Sequence, residues 1–149
     1  MITTKFLFYK DTDKNKMLEK QLCEYCAQSI KQPSALLYIL CHELDFSYVS
    51  NMLYTTKQIS LLVHEKEHHE DVNLVKIIIG NGSTLHNSNY SQIILYVSNN
   101  SNYLPITIPN SLTEIRLFAK LEERQKQVSK LYFDYFKSCL IKINSYTFD

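Results

Sequence analysis

The chain contains 149 residues with a formal net charge of +1, and 45% of them are hydrophobic and 21% are charged. This composition is typical of one soluble globular domain, residues 1–149, with an ordinary core, and no apolar run approaches the length needed to span a bilayer. The N-terminal apolar stretch is too short for a secretory signal peptide, so we expect a cytoplasmic protein.

Glycine and cysteine restrict the chemistry. Gly80 and Gly82 are the only glycines, whereas phosphate-binding loops need glycines so that backbone amides can approach the ligand. A P-loop and a dinucleotide-binding fingerprint are therefore excluded, and we expect no cofactor. The four cysteines are widely scattered, which predicts no disulfide framework.

The first third of the chain predicts strands and helices in alternation. Residues 4–9 have the pattern of a short buried strand, and 16–30 carry apolar residues at helical spacing until Pro33 ends the helix. Residues 35–41 are a continuous apolar run of strand length, as expected for a strand covered on both faces. A second helix is predicted over 45–54, where the apolar residues fall on one stripe.

The rest of the chain predicts further strands and then one long helix. Three more apolar runs of strand length lie at 59–63, 74–79 and 92–97. Residues 104–108 are flanked by two prolines and qualify at most as an edge strand. Ser111 has a glutamate three residues further on, which is the spacing of a capping box and predicts a helix over 111–140 followed by a short polar and aromatic tail.

This order of elements predicts the fold class. Continuous apolar strands that alternate with helices are typical of an α/β layered fold, in which helices flank a largely parallel sheet. We therefore expect a single Rossmann-like domain without a nucleotide-binding loop and with a long C-terminal helix.

His64, Glu65 and His68 match the H-E-x-x-H pattern, in which one helical turn places two imidazoles on zinc and a glutamate beside the metal-bound water. The context disfavours this interpretation, because the histidines follow a predicted strand and the positions between them are the charged Lys66 and Glu67. We expect no metal site here, and a metal-dependent hydrolase is the alternative function.

Cys23 and Cys26 form a C-x-x-C pair, but they lie in the middle of a predicted helix, on or near its apolar stripe. A reactive cysteine of this kind needs the helix N-terminus, where the dipole stabilises the thiolate. We predict two small core residues instead. Cys41 and Cys139 do not supply the second close pair that a four-cysteine zinc site requires.

Polar residues follow the strand predicted over 35–41. His42, Glu43 and Asp45 lie at its carboxyl end, where open α/β sheets place their ligand crevice. The preferred interpretation is a polar loop in which Asp45 caps the next helix. No serine or cysteine has a recognisable nucleophile elbow.

The second half of the predicted long helix is basic and aromatic. From residue 124 to residue 142 the sequence contains five cations, one acid and three aromatic residues among them. The cations are Arg124, Lys126, Lys130, Lys137 and Lys142, the acid is Asp134, and the aromatic residues are Tyr132, Tyr135 and Phe136. In a chain of nearly zero net charge, this pattern indicates a local binding site for an acidic partner that also carries an apolar group. The alternative is a solvated face with the tyrosines packed on the sheet.

The segment 130–148 resembles the C-terminus of the chi subunit of bacterial DNA polymerase III. That family ends with a basic residue, Tyr-x-x-Tyr, a second basic position and an apolar-Asn-x-x-Thr-aromatic close. The matching residues here are Lys130, Tyr132, Tyr135, Lys137, Ile143, Asn144, Thr147 and Phe148. Segments 22–27, 52–54 and 61–64 are similar to the family's first helix, the end of its second helix and its third strand. The pattern departs at Gln125 and Ser129, where lysine and arginine are common in the family.

The resemblance implies a non-catalytic subunit that pairs with the psi subunit, which tethers it to the clamp loader. It also implies binding to the acidic C-terminal tail of single-stranded-DNA-binding protein. Through this contact the subunit would link the replisome to template DNA that is coated by single-stranded-DNA-binding protein, without itself binding DNA. The implied tail-binding residues are Arg124, Lys126, Lys130, Tyr132, Tyr135 and Lys137, and the implied psi-facing residues are Tyr54, Ile59 and Leu61. Lysines would attract the carboxylates of the tail, and an aromatic-lined pocket would hold its last side chain. An adaptor of the same fold with different partners is a further alternative.

Overall fold

The computed structural model describes residues 2–10, 17–55, 76–83, 89–139 and 141–148, together with the backbone of residues 64–66. The elements in chain order are β1 (Thr3–Tyr9), α1 (Met17–Ser29), β2 (Leu37–Leu40), α2 (Phe46–Thr55), β3 (His64–Lys66), β4 (Ile77–Gly80), β5 (Gln92–Tyr96), β6 (Glu114–Lys120), α3 (Glu123–Ser138) and β7 (Lys142–Phe148). A 3-10 turn, Glu43–Asp45, leads into α2.

The described strands form one sheet in the order β3-β4-β2-β5-β6-β1-β7. Every described pair of neighbouring strands is parallel. Parallel strands need crossover connections, and α1, α2 and α3 supply three of them. The expected α/β layered fold with a largely parallel sheet flanked by helices is therefore confirmed.

The sheet is covered on both faces, and each face has its own hydrophobic cluster. In β1, Leu7 and Tyr9 face the cluster that contains α1 and α2, whereas Phe6 and Phe8 face the cluster that contains α3. This division follows from the alternation of side chains along a strand. It explains why the central strands β2, β4 and β5 are continuous apolar runs.

The predictions for the first half of the chain hold with small shifts of the boundaries. α1 and α2 form where the helical stripes predicted them, and β1, β2, β4 and β5 lie within the predicted apolar runs or at their ends. Cys23 and Cys26 are buried and pack in the α1 and α2 cluster, as predicted for small core residues. The strand predicted over 59–63 lies outside the described residues, and β3 follows it directly in sequence.

The helix predicted over 111–140 is wrong in its first part, because residues Glu114–Lys120 form strand β6 in the interior of the sheet. The capping box does not exist. The Ser111 hydroxyl donates to the Tyr90 carbonyl oxygen at 2.9 Å. The Glu114 carboxylate accepts from the Tyr25 hydroxyl at 2.8 Å and pairs with Arg116 Nε at 3.0 Å. The spacing of Ser111 and Glu114 did not decide the local structure, because the apolar residues of β6 pack as the fifth strand of the sheet.

The structure defines two further segments near the C-terminus. The polar and aromatic tail predicted after the long helix forms the edge strand β7, which pairs with β1 over its whole length. Residues 104–108, for which the sequence allowed an edge strand at most, form no strand and belong to the connection from β5 to β6. No helix among the described residues combines the length and the hydrophobicity that crossing a membrane requires.

Candidate functional site

Helix α3 divides the predicted basic and aromatic residues between two sides. Lys126, Lys130 and Phe133 follow one another at intervals of four and three residues, which places them on one stripe of the helix. Val128, Tyr132 and Phe136 form a different stripe and are buried against the sheet. The cations and the buried tyrosine therefore do not share one surface.

The stripe of Lys126 and Lys130 borders a cavity of about 290 Å³ between α3 and β1. We call this cavity the lysine pocket. It is lined by Phe6, Phe8, Leu121, Lys126, Ser129, Lys130 and Phe133. Its walls are aromatic and apolar, and among its described lining residues the two ammonium groups are the only charged groups.

The aromatic wall of the lysine pocket is ordered by ring contacts. Phe6 and Phe133 meet edge to face with their centroids 5.8 Å apart, and Phe6 and Phe8 lie 6.3 Å apart. These geometries are the favourable ones for aromatic pairs. Since Phe6 and Phe8 come from the first strand and Phe133 from the last helix, the pocket exists only when both ends of the chain have folded together.

A buried hydroxyl also lies in this lining. Ser129 is 1% exposed, and its Oγ has no hydrogen-bond partner within the described part of the chain. A buried hydroxyl without a partner costs free energy in the folded state. A ligand oxygen that reached Ser129 would remove that cost.

Lys130 already has a partner in the free protein. Its Nζ lies 3.1 Å from Asp134 Oδ1, one helical turn further on, and the two side chains are 72% and 56% exposed. An exposed ion pair of this kind contributes about 0.3–0.5 kcal/mol. An acidic ligand can therefore displace Asp134 from Lys130 at little cost.

The two tyrosines of the predicted tail-binding site form hydrogen bonds within the protein, to the connection between β5 and β6. Tyr132 is 2% exposed, and its hydroxyl accepts a hydrogen bond from Leu104 N at 3.4 Å. Tyr135 donates from its hydroxyl to the Ile106 carbonyl oxygen at 2.6 Å. Burial raises the pKa of both hydroxyl groups above the ordinary value for tyrosine. The two tyrosines thus fasten the connection between β5 and β6 to α3, and neither lines the lysine pocket.

The two outer cations lie away from the lysine pocket as well. Arg124 Nη2 donates to the Ser101 carbonyl oxygen at 2.9 Å and to Asn102 Oδ1 at 2.6 Å, so the guanidinium holds the same loop. Lys137 is exposed in the last turn of α3, where a cation complements the helix dipole. Of the six predicted tail-binding residues, the structure brings only Lys126 and Lys130 together at one pocket.

The predicted psi-facing residues lie near the other end of the sheet. Tyr54 is 48% exposed at the end of α2, and α2 contacts β3, the strand at that edge of the described sheet. Ile59 and Leu61 lie outside the described residues. Of the three predicted psi-facing residues, the structure therefore describes only Tyr54.

The geometry of a zinc-binding helix is absent at His64. Residues His64–Lys66 form strand β3, whereas the H-E-x-x-H pattern requires one turn of helix to bring two imidazoles together. His68 lies outside the described residues. Within the described ranges, no group of three or more His, Cys, Asp and Glu side chains is placed to hold a metal ion.

Sequence reasoning missed the three phenylalanines, Leu121 and Ser129 of the lysine pocket. The alternation of Phe6 and Phe8 in β1 predicts that both lie on one face of the sheet. Their position beside α3 follows only from the pairing of β1 with β6. No protein-family model and no curated protein matches the chain significantly. The resemblance to the chi family therefore rests on the residues named above.

Proposed function

We propose that the protein is a cytoplasmic, non-catalytic accessory subunit of the DNA polymerase III clamp-loader complex, similar to chi. In this role it binds the acidic C-terminal tail of single-stranded-DNA-binding protein at the lysine pocket and binds the psi subunit at the opposite end of the sheet. The observation that carries the proposal is the lysine pocket, in which two ammonium groups border an aromatic cavity.

The chemistry of the pocket matches a peptide that ends in a hydrophobic residue. The terminal side chain would fill the cavity between Phe6, Phe8 and Phe133, and the terminal carboxylate would accept hydrogen bonds from the ammonium groups of Lys126 or Lys130. Hydrogen bonds between charged groups are shorter and stronger than neutral ones. Because the ammonium groups are exposed, the contact should be modest in affinity and sensitive to salt.

The placement of the two proposed surfaces supports simultaneous binding. β3 is the first strand of the described sheet and β1 is the sixth, so five strand spacings separate them, or roughly 24 Å at about 4.8 Å each. A psi subunit held near α2 and β3 would leave the lysine pocket accessible. This separation suits an adaptor that joins the clamp loader to protein-coated DNA.

The test of the tail site is a titration of the purified protein with a fluorescent peptide that copies the acidic C-terminus of the same organism's single-stranded-DNA-binding protein. We expect saturable binding that high salt weakens and that removal of the last hydrophobic residue abolishes. Lys130→Glu should weaken binding at least tenfold, since it replaces an attractive charge with a repulsive one.

Lys31→Glu is the matched control for the charge change. Lys31 is exposed just after α1 and does not line the pocket, and its substitution alters the net charge by the same amount. Equal losses in Lys130→Glu and Lys31→Glu would mean that the peptide responds only to overall charge. Absence of binding at low salt would contradict the tail-binding function itself.

The psi surface is tested by co-expression with the psi subunit and purification of the complex. Tyr54→Arg should reduce recovery of psi, because it places a charge within a predicted apolar contact. Tyr146→Arg is the control, since Tyr146 is similarly exposed at 45% but lies on β7 at the other edge of the sheet. Loss of psi with Tyr146→Arg but not with Tyr54→Arg would place the interface at the wrong edge for our proposal.

A further inference from the structure

A second cavity, of about 270 Å³, lies at the carboxyl ends of β2 and β5 on the α3 side of the sheet. We call it the strand-end cavity. From β2 the chain continues through α2 towards β3 and β4, and from β5 it continues towards β6 on the other side. The order of strands therefore reverses between β2 and β5. Open α/β sheets bind small ligands in the crevice at such a switch point.

The strand-end cavity has an apolar wall and a polar rim. Leu40, Leu95, Val97 and Tyr132 contribute to the apolar wall, and the rim includes His42, Glu43 and Asn81. A small number of polar groups beside an apolar wall is the usual composition of a small-molecule site. The wall offers a surface for a flat apolar group, and the rim offers hydrogen bonds to polar substituents.

Hydrogen bonds fix the polar groups of the rim. His42 Nδ1 accepts from Leu44 N at 3.1 Å, so the neutral imidazole carries its proton on Nε2 and can donate it. Asn81 Nδ2 donates to Glu43 Oε1 at 2.8 Å, while Asn81 Oδ1 accepts from Ser83 N at 3.1 Å. The exposed Glu43 carboxylate has further acceptor capacity for a ligand.

The loop that completes the rim is held from two sides. The buried Asp45 carboxylate accepts from Ser98 Oγ at 2.5 Å and from Asn100 Nδ2 at 3.1 Å, which joins the segment after β2 to the segment after β5. Arg124 fastens Ser101 and Asn102 to α3. The cavity is therefore formed before any ligand binds, which lowers the entropic cost of binding.

Charge and size restrict the class of ligand. Among the described residues that line the cavity there is no lysine or arginine, and Glu43 would repel an anion, so a phosphorylated ligand is disfavoured. The volume lies just below the range of about 300–1,000 Å³ for pockets that bind drug-sized molecules. It suits one small ligand with a flat apolar part and a hydroxylated part.

We infer that the strand-end cavity binds an unphosphorylated ribonucleoside. The base would pack against the apolar wall, and the vicinal hydroxyl groups of the ribose would donate hydrogen bonds to the Glu43 carboxylate. In α/β folds, an acidic residue after a strand recognises ribose hydroxyl groups in this manner. The inference is independent of the proposed tail binding, which uses a different pocket.

The test is a titration of the ¹⁵N-labelled protein with adenosine, guanosine, cytidine and uridine at millimolar concentrations, followed by amide chemical shifts. At least one nucleoside should give saturable shifts at residues 41–43, 81–82 and 95–104. Glu43→Gln should weaken that binding about tenfold, because a neutral amide oxygen accepts hydrogen bonds from the ribose hydroxyl groups more weakly than a carboxylate does. Glu123→Gln, an exposed change of the same charge outside the cavity lining, should leave it unchanged.

Two further ligands distinguish the chemistry. The corresponding 5′-monophosphate should bind no more tightly than the nucleoside, and free ribose should bind far more weakly, because it lacks the base. Equal binding of ribose would mean that the cavity recognises a sugar and would overturn the inference. It would also be overturned if none of the four nucleosides caused saturable shifts at the cavity, or if Glu43→Gln had no effect.

Discussion

The lysine pocket and the strand-end cavity are almost equal in volume, at about 290 and 270 Å³, but their rims carry opposite charge. Phenylalanines and two ammonium groups surround the first, whereas a carboxylate, an imidazole and amide groups border the apolar wall of the second. Size alone would assign both cavities the same ligand. The difference shows that the charged groups at the rim decide which class of molecule each can accept.

The two rims also differ in how firmly they are held. Asp45 and Arg124 hold the loop around the strand-end cavity through hydrogen bonds from both sides. By contrast, Lys130 at the lysine pocket has one exposed partner, Asp134. A rigid rim favours one small ligand of defined shape, whereas long mobile side chains can adapt to a peptide with several carboxylates.

The largest expected effect is a separation of the two sites by charge. Replacing both Lys126 and Lys130 with glutamate should weaken binding of the acidic tail peptide about a hundredfold or more, and nucleoside shifts should remain. The double substitution Lys20→Glu and Lys31→Glu is the control, because both lysines are exposed, lie outside the pocket lining, and change the net charge equally. Loss of nucleoside binding in the first variant alone would contradict the independence of the two cavities.

A smaller effect is expected from loosening the loop of the strand-end cavity. Tyr135→Phe removes the hydroxyl that donates to the Ile106 carbonyl oxygen, which should lower the free energy of unfolding by about 1 kcal/mol. Nucleoside affinity should fall a few-fold, because the loop is then less firmly placed, and tail affinity should stay the same. Chemical denaturation measures the first quantity, and the two titrations measure the others. An equal fall in both affinities would indicate that α3 itself has shifted.

The smallest expected effect has the opposite sign. Asp134→Asn removes the carboxylate that competes for Lys130 and repels an acidic ligand, so tail affinity should rise about two- to fivefold. The matched comparison is Glu123→Gln, which also removes one exposed acid from α3, but its carboxylate accepts from Gln127 instead of pairing with Lys130. If Asp134→Asn weakened the peptide, Asp134 would have to orient Lys130 for binding rather than compete with the ligand.

The elements that sequence could predict are those whose local pattern agrees with their place in the fold. β2 and β5 are covered on both faces and are continuous apolar runs, and the amphipathic α1 and α2 show a helical stripe. β6 was missed although Ile115 and Leu117 alternate with Glu114 and Arg116, because a capping-box spacing suggested a helix start there. β7 was missed because an edge strand exposes much of its surface and therefore keeps a polar sequence.

The same limit applies to the candidate site. The charge run on α3 identified Lys126 and Lys130, and the helical period could have added Phe133. Phe6 and Phe8 could not be assigned to the site, since their proximity to α3 depends on which strands become neighbours. The burial of Tyr132 could not be predicted either, because charge and aromatic content do not tell which stripe of an amphipathic helix faces the core.

The pairing of β1 has a consequence for how the molecule is made. β1 lies between β6 and β7, so it is synthesised more than a hundred residues before either of its neighbours in the sheet. Contacts between distant parts of a chain form slowly because a large loop must close first. During synthesis Phe6 and Phe8 therefore lack their neighbours until β6 and α3 have been translated, and the lysine pocket can assemble only after that point.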